Sequence, residues 1–146
     1  MPIVYLDTSA AVSVFGKWNV ASGGREYLLI FNGTNFQWFV SSDGTGNTSI
    51  VNTASISTAT WYFLYCYYDG TNIGLSVNNG TAATAAFSAD IKDATTTFAI
   101  GADFVAGVAS NFWNGRIGPV VIWKRTLTAA EQTYLYNSGT GRVPIP

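Results

Sequence analysis

This chain of 146 residues contains few side chains that could act as a general acid, a general base or an activated nucleophile. No histidine is present, which removes the usual general base near neutral pH and the Ser-His and Cys-His nucleophile pairs. Glycoside hydrolysis needs two carboxyl groups about 5–9 Å apart, but the only glutamates are Glu26 and Glu131. The pattern Thr128-Ala-Ala-Glu131 assigns the second of them to a helix cap. We therefore predict no catalytic residues and no enzymatic activity. Glycoside hydrolysis is the least favoured function, behind the two binding functions that are described below.

Calcium is the metal that the remaining carboxylates suit best, since it takes six to eight oxygen ligands from side chains and loop carbonyls. The candidate ligands are Asp43, Asp69, Asp90, Asp93 and Asp103. Turn formation explains such residues equally well, because an aspartate carboxylate bonds to backbone N–H groups of its own turn. We predict no metal ligand and no cofactor, with calcium as the open alternative. The only cysteine, Cys66, is interpreted as a small buried hydrophobe.

Aromatic side chains are the most distinctive chemical feature, at 15% of the residues against 10% that are charged. Along the run 61–68, alternation in a strand places Tyr62, Leu64, Cys66 and Tyr68 on one face and Trp61, Phe63, Tyr65 and Tyr67 on the other. An aromatic face suits a sugar, because the C–H side of a pyranose packs on a ring while polar loop groups take the hydroxyls. We predict that the ligand-binding residues are Trp61, Phe63, Tyr65, Tyr67 and Trp38.

Something must cover an aromatic face of this size, because monomers seldom carry such an apolar patch. The candidates are a glycan, a partner protein or a second copy in a homo-oligomer, and the alternative is the chain's own loops or tail. Nucleic acid is not a predicted partner, because the seven Lys and Arg residues form no run and the net charge is −1. A membrane is not predicted either, since no apolar stretch approaches the roughly 20 residues of a span.

The elements that position these side chains are short runs of β-branched and aromatic residues separated by Gly, Asn, Asp and Ser. Strands are predicted near 3–6, 11–18, 25–31, 36–40, 49–52, 61–69, 73–78, 81–87, 97–101 and 116–123. Together with Asn-Gly and Asp-Gly turns, they favour an all-β sandwich or barrel. The capping box at Thr128 predicts one short C-terminal helix, which Ser138-Gly139 ends. We expect a single domain over 1–146, with 140–146 as an extended tail.

Two stretches of the sequence resemble the concanavalin A-like superfamily, in particular its laminin-G-like jelly-roll domains of bacterial surface proteins and phage particles. The first, residues 60–70 with 73–80, is similar to the family's Trp-led strand, its Asp-Gly turn and a returning strand that ends in Asn-Gly. The second, residues 113–131 with 135–139, is similar to the closing strand and terminal helix. The resemblance covers nearly all of the chain. It implies an antiparallel two-sheet jelly-roll sandwich with one short C-terminal helix.

The sequence departs from that family at two places. Members usually begin with further strands before the one that MPIVYLDTS resembles, so we expect an open strand edge that a neighbouring subunit could cover. In addition, Gly118-Pro119 stands where many members carry an acidic residue, which some use for calcium. Calcium is therefore not expected at the usual family site.

The resemblance and the aromatic face together predict a non-catalytic binding module. Its predicted role is carbohydrate binding or adhesion on a virus particle or cell surface, outside the cell, although no signal peptide is visible in the sequence. The alternative is a structural self-assembly protein, or a capsid or tail decoration protein, that uses the open strand edge and the aromatic face. The two functions require surfaces of different size. A glycan groove needs only a few rings with convergent polar groups, whereas a self-association interface buries roughly 1,200 Å² or more.

Overall fold

The computed structural model describes residues 1–21 and 23–142, and these form mainly short β-strands. In chain order the strands are β1 (Pro2–Leu6), β2 (Val12–Asn19), β3 (Gly24–Phe31), β4 (Phe36–Val40), β5 (Thr48–Val51), β6 (Thr60–Tyr68), β7 (Asn72–Val77), β8 (Ala83–Ala86), β9 (Phe98–Ile100), β10 (Asp103–Val105), β11 (Val108–Ser110) and β12 (Gly115–Val120). They are followed by helix α1 (Ala129–Tyr136) and a 3-10 turn at Asn137–Gly139. No helix in these described ranges is long and apolar enough to span a membrane.

The strands form two sheets. The first has the order β12-β1-β6-β7-β8, and the second has the order β11-β10-β2-β3-β4-β5, with β9 also paired to β2. Neighbouring strands are antiparallel except for β10 and β2, which pair in parallel at Phe104 and Asn19. In this order the last strand, β12, pairs with the first strand, β1, and β1 pairs in turn with the central strand β6. Distant parts of the sequence therefore build the surface around β6.

Side chains from both sheets share one apolar core. On β6, Tyr62 and Leu64 are buried in this core, and Cys66 and Tyr68 pack against it. Phe36 of β4 meets Tyr62 from the opposite sheet, with 5.5 Å between the ring centroids. The face of β6 that alternation groups as Tyr62, Leu64, Cys66 and Tyr68 therefore points into the core. Because strand residues alternate between faces, the odd-numbered residues of β6 lie on the outer face of the first sheet.

The predicted capping box begins helix α1. The N–H of Glu131 donates to Thr128 Oγ1 at 3.2 Å, and the N–H of Thr128 donates to Glu131 Oε2 at 2.8 Å. Arg125 adds a bidentate ion pair to the same carboxylate, at 2.6 and 2.8 Å. These bonds satisfy donors that a helix start otherwise leaves unpaired. They also hold the segment before the helix against its first turn.

The chain folds back after the helix instead of extending away from it. Asn137 takes the left-handed conformation, with a φ of 48°, and the N–H of Arg142 donates to the carbonyl of Leu135 at 2.8 Å. The guanidinium of Arg142 lies 4.5 Å from the ring centroid of Tyr134. The prediction of an extended tail over 140–146 is therefore wrong for 140–142, and residues 143–146 lie outside the described residues.

The fold class predicted from the sequence is confirmed. Each predicted strand is present, with ends within three residues of the predicted ones. The sequence did not predict β10 and β11, because each has three residues and too little alternation to recognise. They form a hairpin around Ala106 and Gly107, both of which have positive φ.

Candidate functional site around strand β6

Helix α1 covers the middle of the outer face of β6. Phe63 and Tyr65 are each only 4% exposed, and they belong to a second apolar cluster that includes Leu127 and Leu135. The ring of Tyr136 meets that of Phe63 edge-on, with the centroids 5.6 Å apart, and the N–H of Leu127 donates to the Tyr65 hydroxyl at 2.7 Å. The prediction that an outside ligand stacks on Phe63 and Tyr65 is therefore corrected, because the chain's own helix covers these rings.

Trp38 lies in the opposite sheet and points inward. It is 6% exposed, and the rings of Phe15 and Tyr27 each lie 5.9 Å from its own. Its indole Nε1 is buried with no hydrogen-bond acceptor in the described part of the chain. Trp38 is a core residue, so the prediction that it extends the outer aromatic face is also corrected.

Trp61 stays open to solvent at one end of the outer face, with 43% of its surface exposed. The pairing of β1 with β6 places Tyr5 directly opposite Trp61, and their ring centroids lie 5.3 Å apart. The pairing of β1 with β12 places Arg116 opposite Tyr5, and its guanidinium lies 4.9 Å from the Tyr5 ring centroid. We call Trp61, Tyr5 and Arg116 the Trp61 platform. It combines two aromatic rings with a planar cation on three adjacent strands.

Tyr67 lies at the other end of the outer face and is half-buried. Its ring covers Gly74 of β7, where any side chain would collide with the ring. Tyr65 stacks against it, with centroids 5.6 Å apart and an interplanar angle of 27°. Gly74 therefore allows the Tyr67 ring to lie against the sheet beside Tyr65.

A cavity of about 340 Å³ opens beside this end of β6, and we call it the β6 slot. Its walls are formed by Met1, Phe15, Tyr27, Trp38, Tyr65, Cys66, Tyr67, Tyr68, Ile91 and the segment 121–126. Three residues predicted as ligand-binding, Tyr65, Tyr67 and Trp38, thus meet at this cavity although two of them are almost fully buried. The volume lies within the usual range of ligand pockets, and most of the wall is apolar or aromatic.

A more polar cavity of about 600 Å³ lies among the loops near the second sheet. Asn19 and Asp43 contribute to its wall, but backbone groups already occupy both side chains. Asn19 Oδ1 accepts from the N–H of Ala21 at 3.2 Å. Asp43 Oδ1 accepts from the N–H groups of Thr45 and Gly46 at 2.7 and 2.8 Å. These polar atoms hold their own loops in shape, so this cavity offers a ligand fewer free groups than its composition suggests.

The two glutamates both have structural partners. Glu26 is 4% exposed and pairs with Lys17 at 2.8 Å, and this hydrogen bond raises the pKa of Lys17. Glu131 caps α1, and its hydrogen bonds to Arg125 and then to the backbone of Thr128 lower its pKa to about 2. The lowered pKa of Glu131 is the opposite of the raised pKa that a general acid needs.

Three of the aspartates, Asp43, Asp69 and Asp103, form turns or bond to a neighbouring side-chain amide. The N–H groups of Thr45 and Gly46 lower the pKa of Asp43 to about 2, and backbone N–H groups also lower the pKa of Asp69. Asp103 accepts two bonds from Asn111 Nδ2, at 2.8 and 3.1 Å. No group of three or more His, Cys, Asp or Glu side chains within the described ranges could hold a metal.

The sequence analysis identified Trp61 but missed the residues that surround it. Tyr5 and Arg116 lie 56 and 55 positions from Trp61 in sequence, and only the pairing of β1 with both β6 and β12 brings them together. The alternation of β1 does place Tyr5 on one face with Ile3. The register between strands is the information that a single sequence lacked.

The chain belongs to the concanavalin A-like lectin/glucanase superfamily, because the family model matches residues 4–131. This confirms the resemblance that the central and closing strands indicated. Comparison of the sequence with curated proteins found no match.

Solved structures share the fold at low sequence identity. A native heptameric SAP-like pentraxin from Limulus polyphemus superposes with a TM-score of 0.68 at 13% identity, over 92% of this chain and 67% of the pentraxin. A protein from Bacteroides ovatus, provisionally named a carbohydrate binding protein, gives 0.71 at 17% identity, over 92% of this chain and 39% of that one. The receptor binding domain of botulinum neurotoxin type G gives 0.62 at 13% identity, over 93% and 36%. The chain thus spans well under half the length of the latter two.

Proposed function

We propose that this chain is a non-catalytic carbohydrate-binding or adhesion module, and that the Trp61 platform holds its glycan. The observation that carries the proposal is the 43% exposure of Trp61, beside a second ring and an arginine on the same sheet. Phe63 and Tyr65 have the helix as their partner, whereas no part of the described chain buries Trp61.

The chemistry of the platform suits a sugar. A pyranose presents C–H groups on one side, and these pack on the rings of Trp61 and Tyr5 with little loss of hydration. The guanidinium of Arg116 has five N–H donors in a fixed plane, and its position beside Tyr5 directs some of them to the hydroxyls of a stacked ring. All three residues belong to strands that are paired on both sides or anchored in the core, so the platform is already in place before a ligand arrives.

Binding without catalysis fits the partners of the carboxyl groups. Glu26 is paired with Lys17 inside the fold, and Glu131 with Arg125 at the helix start. Hydrolysis of a glycosidic bond needs one carboxylic acid that protonates the leaving group and a second that acts as base or nucleophile. Both glutamates are instead committed to structural ion pairs away from the platform.

The comparisons support this proposal at the level of the fold. A carbohydrate-binding name and a receptor-binding name both occur among the similar structures, but identities of 13–17% carry the architecture only. The ligand class therefore rests on the platform. A location on a virus particle or cell surface, outside the cell, is part of the proposal and follows from an adhesion role.

A glycan array followed by titration of the best ligand tests the proposal. Trp61→Ala should weaken binding by about 5- to 30-fold, which corresponds to about 1–2 kcal/mol for a stacked ring. The matched control is Tyr134→Ala on α1, because Tyr134 is 54% exposed and also has an arginine over its ring. The control should bind as the parent chain does.

Backbone amide shifts on titration locate the ligand. We expect the largest changes in β1, β6 and β12 around the platform. No glycan binding across plant, bacterial and animal sugars would overturn the proposed function. A sugar that binds with unchanged affinity to Trp61→Ala, or that shifts the loops around Asp43, would overturn the platform as its site.

A further inference from the structure

Strand β6 has an open backbone edge beside the β6 slot. The ladder between β1 and β6 ends at the pair Ile3–Phe63, whereas the ladder between β7 and β6 continues to the pair Ile73–Tyr68. The last part of β6 thus has a strand partner on one side and none on the side of β1 in the described ranges. The open edge lies inside the first sheet, because β6 is paired with β1 over its first half and with β7 over its second half.

The direction of the backbone groups follows from alternation. In an antiparallel strand, successive residues direct their N–H and C=O groups to opposite neighbours. Phe63 bonds on the β7 side, because its carbonyl accepts from the N–H of Asn78 at 2.8 Å and its N–H donates to Asn78 Oδ1 at 2.9 Å. Tyr65 and Tyr67 share that direction. Cys66 and Tyr68 therefore direct their N–H and C=O groups to the open side.

The slot has the shape of a missing strand. Four consecutive residues, 65–68, contribute to its wall, although their side chains alternate between the two faces of the sheet. Only a space along the edge of the strand can contact both sets. The four residues span about 13 Å at 3.3 Å each, and the segment 121–126 also lines the slot.

The walls define the chemistry of the occupant. On the inner side the slot is bounded by Phe15, Trp38 and Tyr68, and on the outer side by Tyr67 and Trp123. A strand in the slot would therefore need apolar side chains on both faces, as strands covered on both sides have. The buried Nε1 of Trp38, which has no acceptor among the described residues, adds a donor next to this space.

We propose that the β6 slot accepts an extended, uncharged apolar segment of about four or five residues from a partner protein, which joins the first sheet as an added strand. This recognition by strand addition goes beyond the proposed glycan binding and uses the other end of β6. The segment forms main-chain hydrogen bonds with Cys66 and Tyr68, and its side chains fill the slot on both faces. An edge strand of a second folded copy fits less well, because its own sheet occupies one of its sides while the segment 121–126 lines the slot in addition to strand β6.

Hydrogen exchange measured by NMR tests the open edge directly. In the free chain, the amides of Cys66 and Tyr68 should exchange at least 100-fold faster than those of Tyr65 and Tyr67, which donate to β7. Equal protection of all four amides at low protein concentration would overturn the proposal, because the edge would then be closed. Protection that grows with protein concentration would also overturn it, since a second copy would then be the occupant.

Peptide binding tests the occupant. The probe is a capped peptide with five alternating valine and leucine residues between terminal lysines, and its control has the same sequence with alternate backbone nitrogens methylated. We expect saturable binding of the first peptide with at least 100-fold slower exchange at Cys66 and Tyr68, and at least tenfold weaker binding of the control. Absence of binding at about 1 mM, a limit that corresponds to very weak affinity, would overturn the proposal. Equal binding of both peptides would do so as well.

Discussion

The hydrogen bond between Leu127 and Tyr65 gives a quantitative test of how helix α1 is held on the sheet. The N–H of Leu127 donates to the Tyr65 hydroxyl at 2.7 Å, and the two residues are 7% and 4% exposed. Tyr65→Phe removes only the hydroxyl, so the ring stays in place while a buried N–H loses its acceptor. An unpaired buried donor costs about 1–3 kcal/mol. This range is the expected decrease in the free energy of unfolding.

The assay is urea unfolding of the parent chain and the variant, with thermal unfolding as a second measurement. For a domain of this size, each kcal/mol lowers Tm by about 2–4 °C, so the variant should melt about 2–12 °C lower. Tyr134→Phe is the control, because Tyr134 is 54% exposed and its substitution should change stability by less than about 0.5 kcal/mol. If Tyr65→Phe and Tyr134→Phe have the same midpoint, the hydroxyl does not hold the helix and the reasoning fails.

The shifted pKa values of Cys66 and Glu131 lead to two further predictions. Burial raises the pKa of the Cys66 thiol to about 12, so a disulfide reagent at pH 8 should label Cys66 at least 100-fold more slowly in the folded chain than in urea; comparable rates would contradict this. The pKa of Glu131 is lowered to about 2, with Arg125 as the largest cause, so its stabilising contribution is present above the ordinary value of 4.5 and is lost as pH falls toward 2. Acid unfolding should therefore be steeper for the parent chain than for Glu131→Gln, and parallel curves would refute the assignment.

Local features of the fold were predictable from the sequence. The capping box of α1 needs only Thr128 and Glu131 three positions apart, and both of its bonds are present. The inward face of β6 was predictable because alternation is fixed by strand geometry. The turn dipeptides that start at Asp43 and Asp69 were also informative, since both carboxylates accept backbone N–H bonds in their own turns. In each case the physical cause lies within a few residues.

The candidate site was less predictable because its causes are distant in sequence. Whether Phe63 is open or covered depends on where α1 packs, and the helix lies more than 60 positions later in the chain. The sequence analysis assigned Trp38 to the outer face only because it is aromatic, although the alternation of β4 directs its side chain into the core. Tyr5 and Arg116 join Trp61 only through the register of three strands. Composition identified an aromatic surface, but pairing decided which rings remain open.

The two ends of β6 present different chemistry, and this difference favours two different ligands. At the Trp61 end, β1 occupies the backbone edge up to Phe63, so a ligand meets ring faces and a guanidinium but no main-chain donors. At the Tyr68 end, the backbone edge is open and aromatic rings flank it. A ligand with regularly spaced donors and acceptors of its own can therefore form the most hydrogen bonds there. We therefore propose a sugar for the first arrangement and a peptide strand for the second. Residues 61 and 67 lie about 20 Å apart along the strand, with helix α1 between them, so we expect that the two proposed sites are separate and that both can be occupied in one molecule.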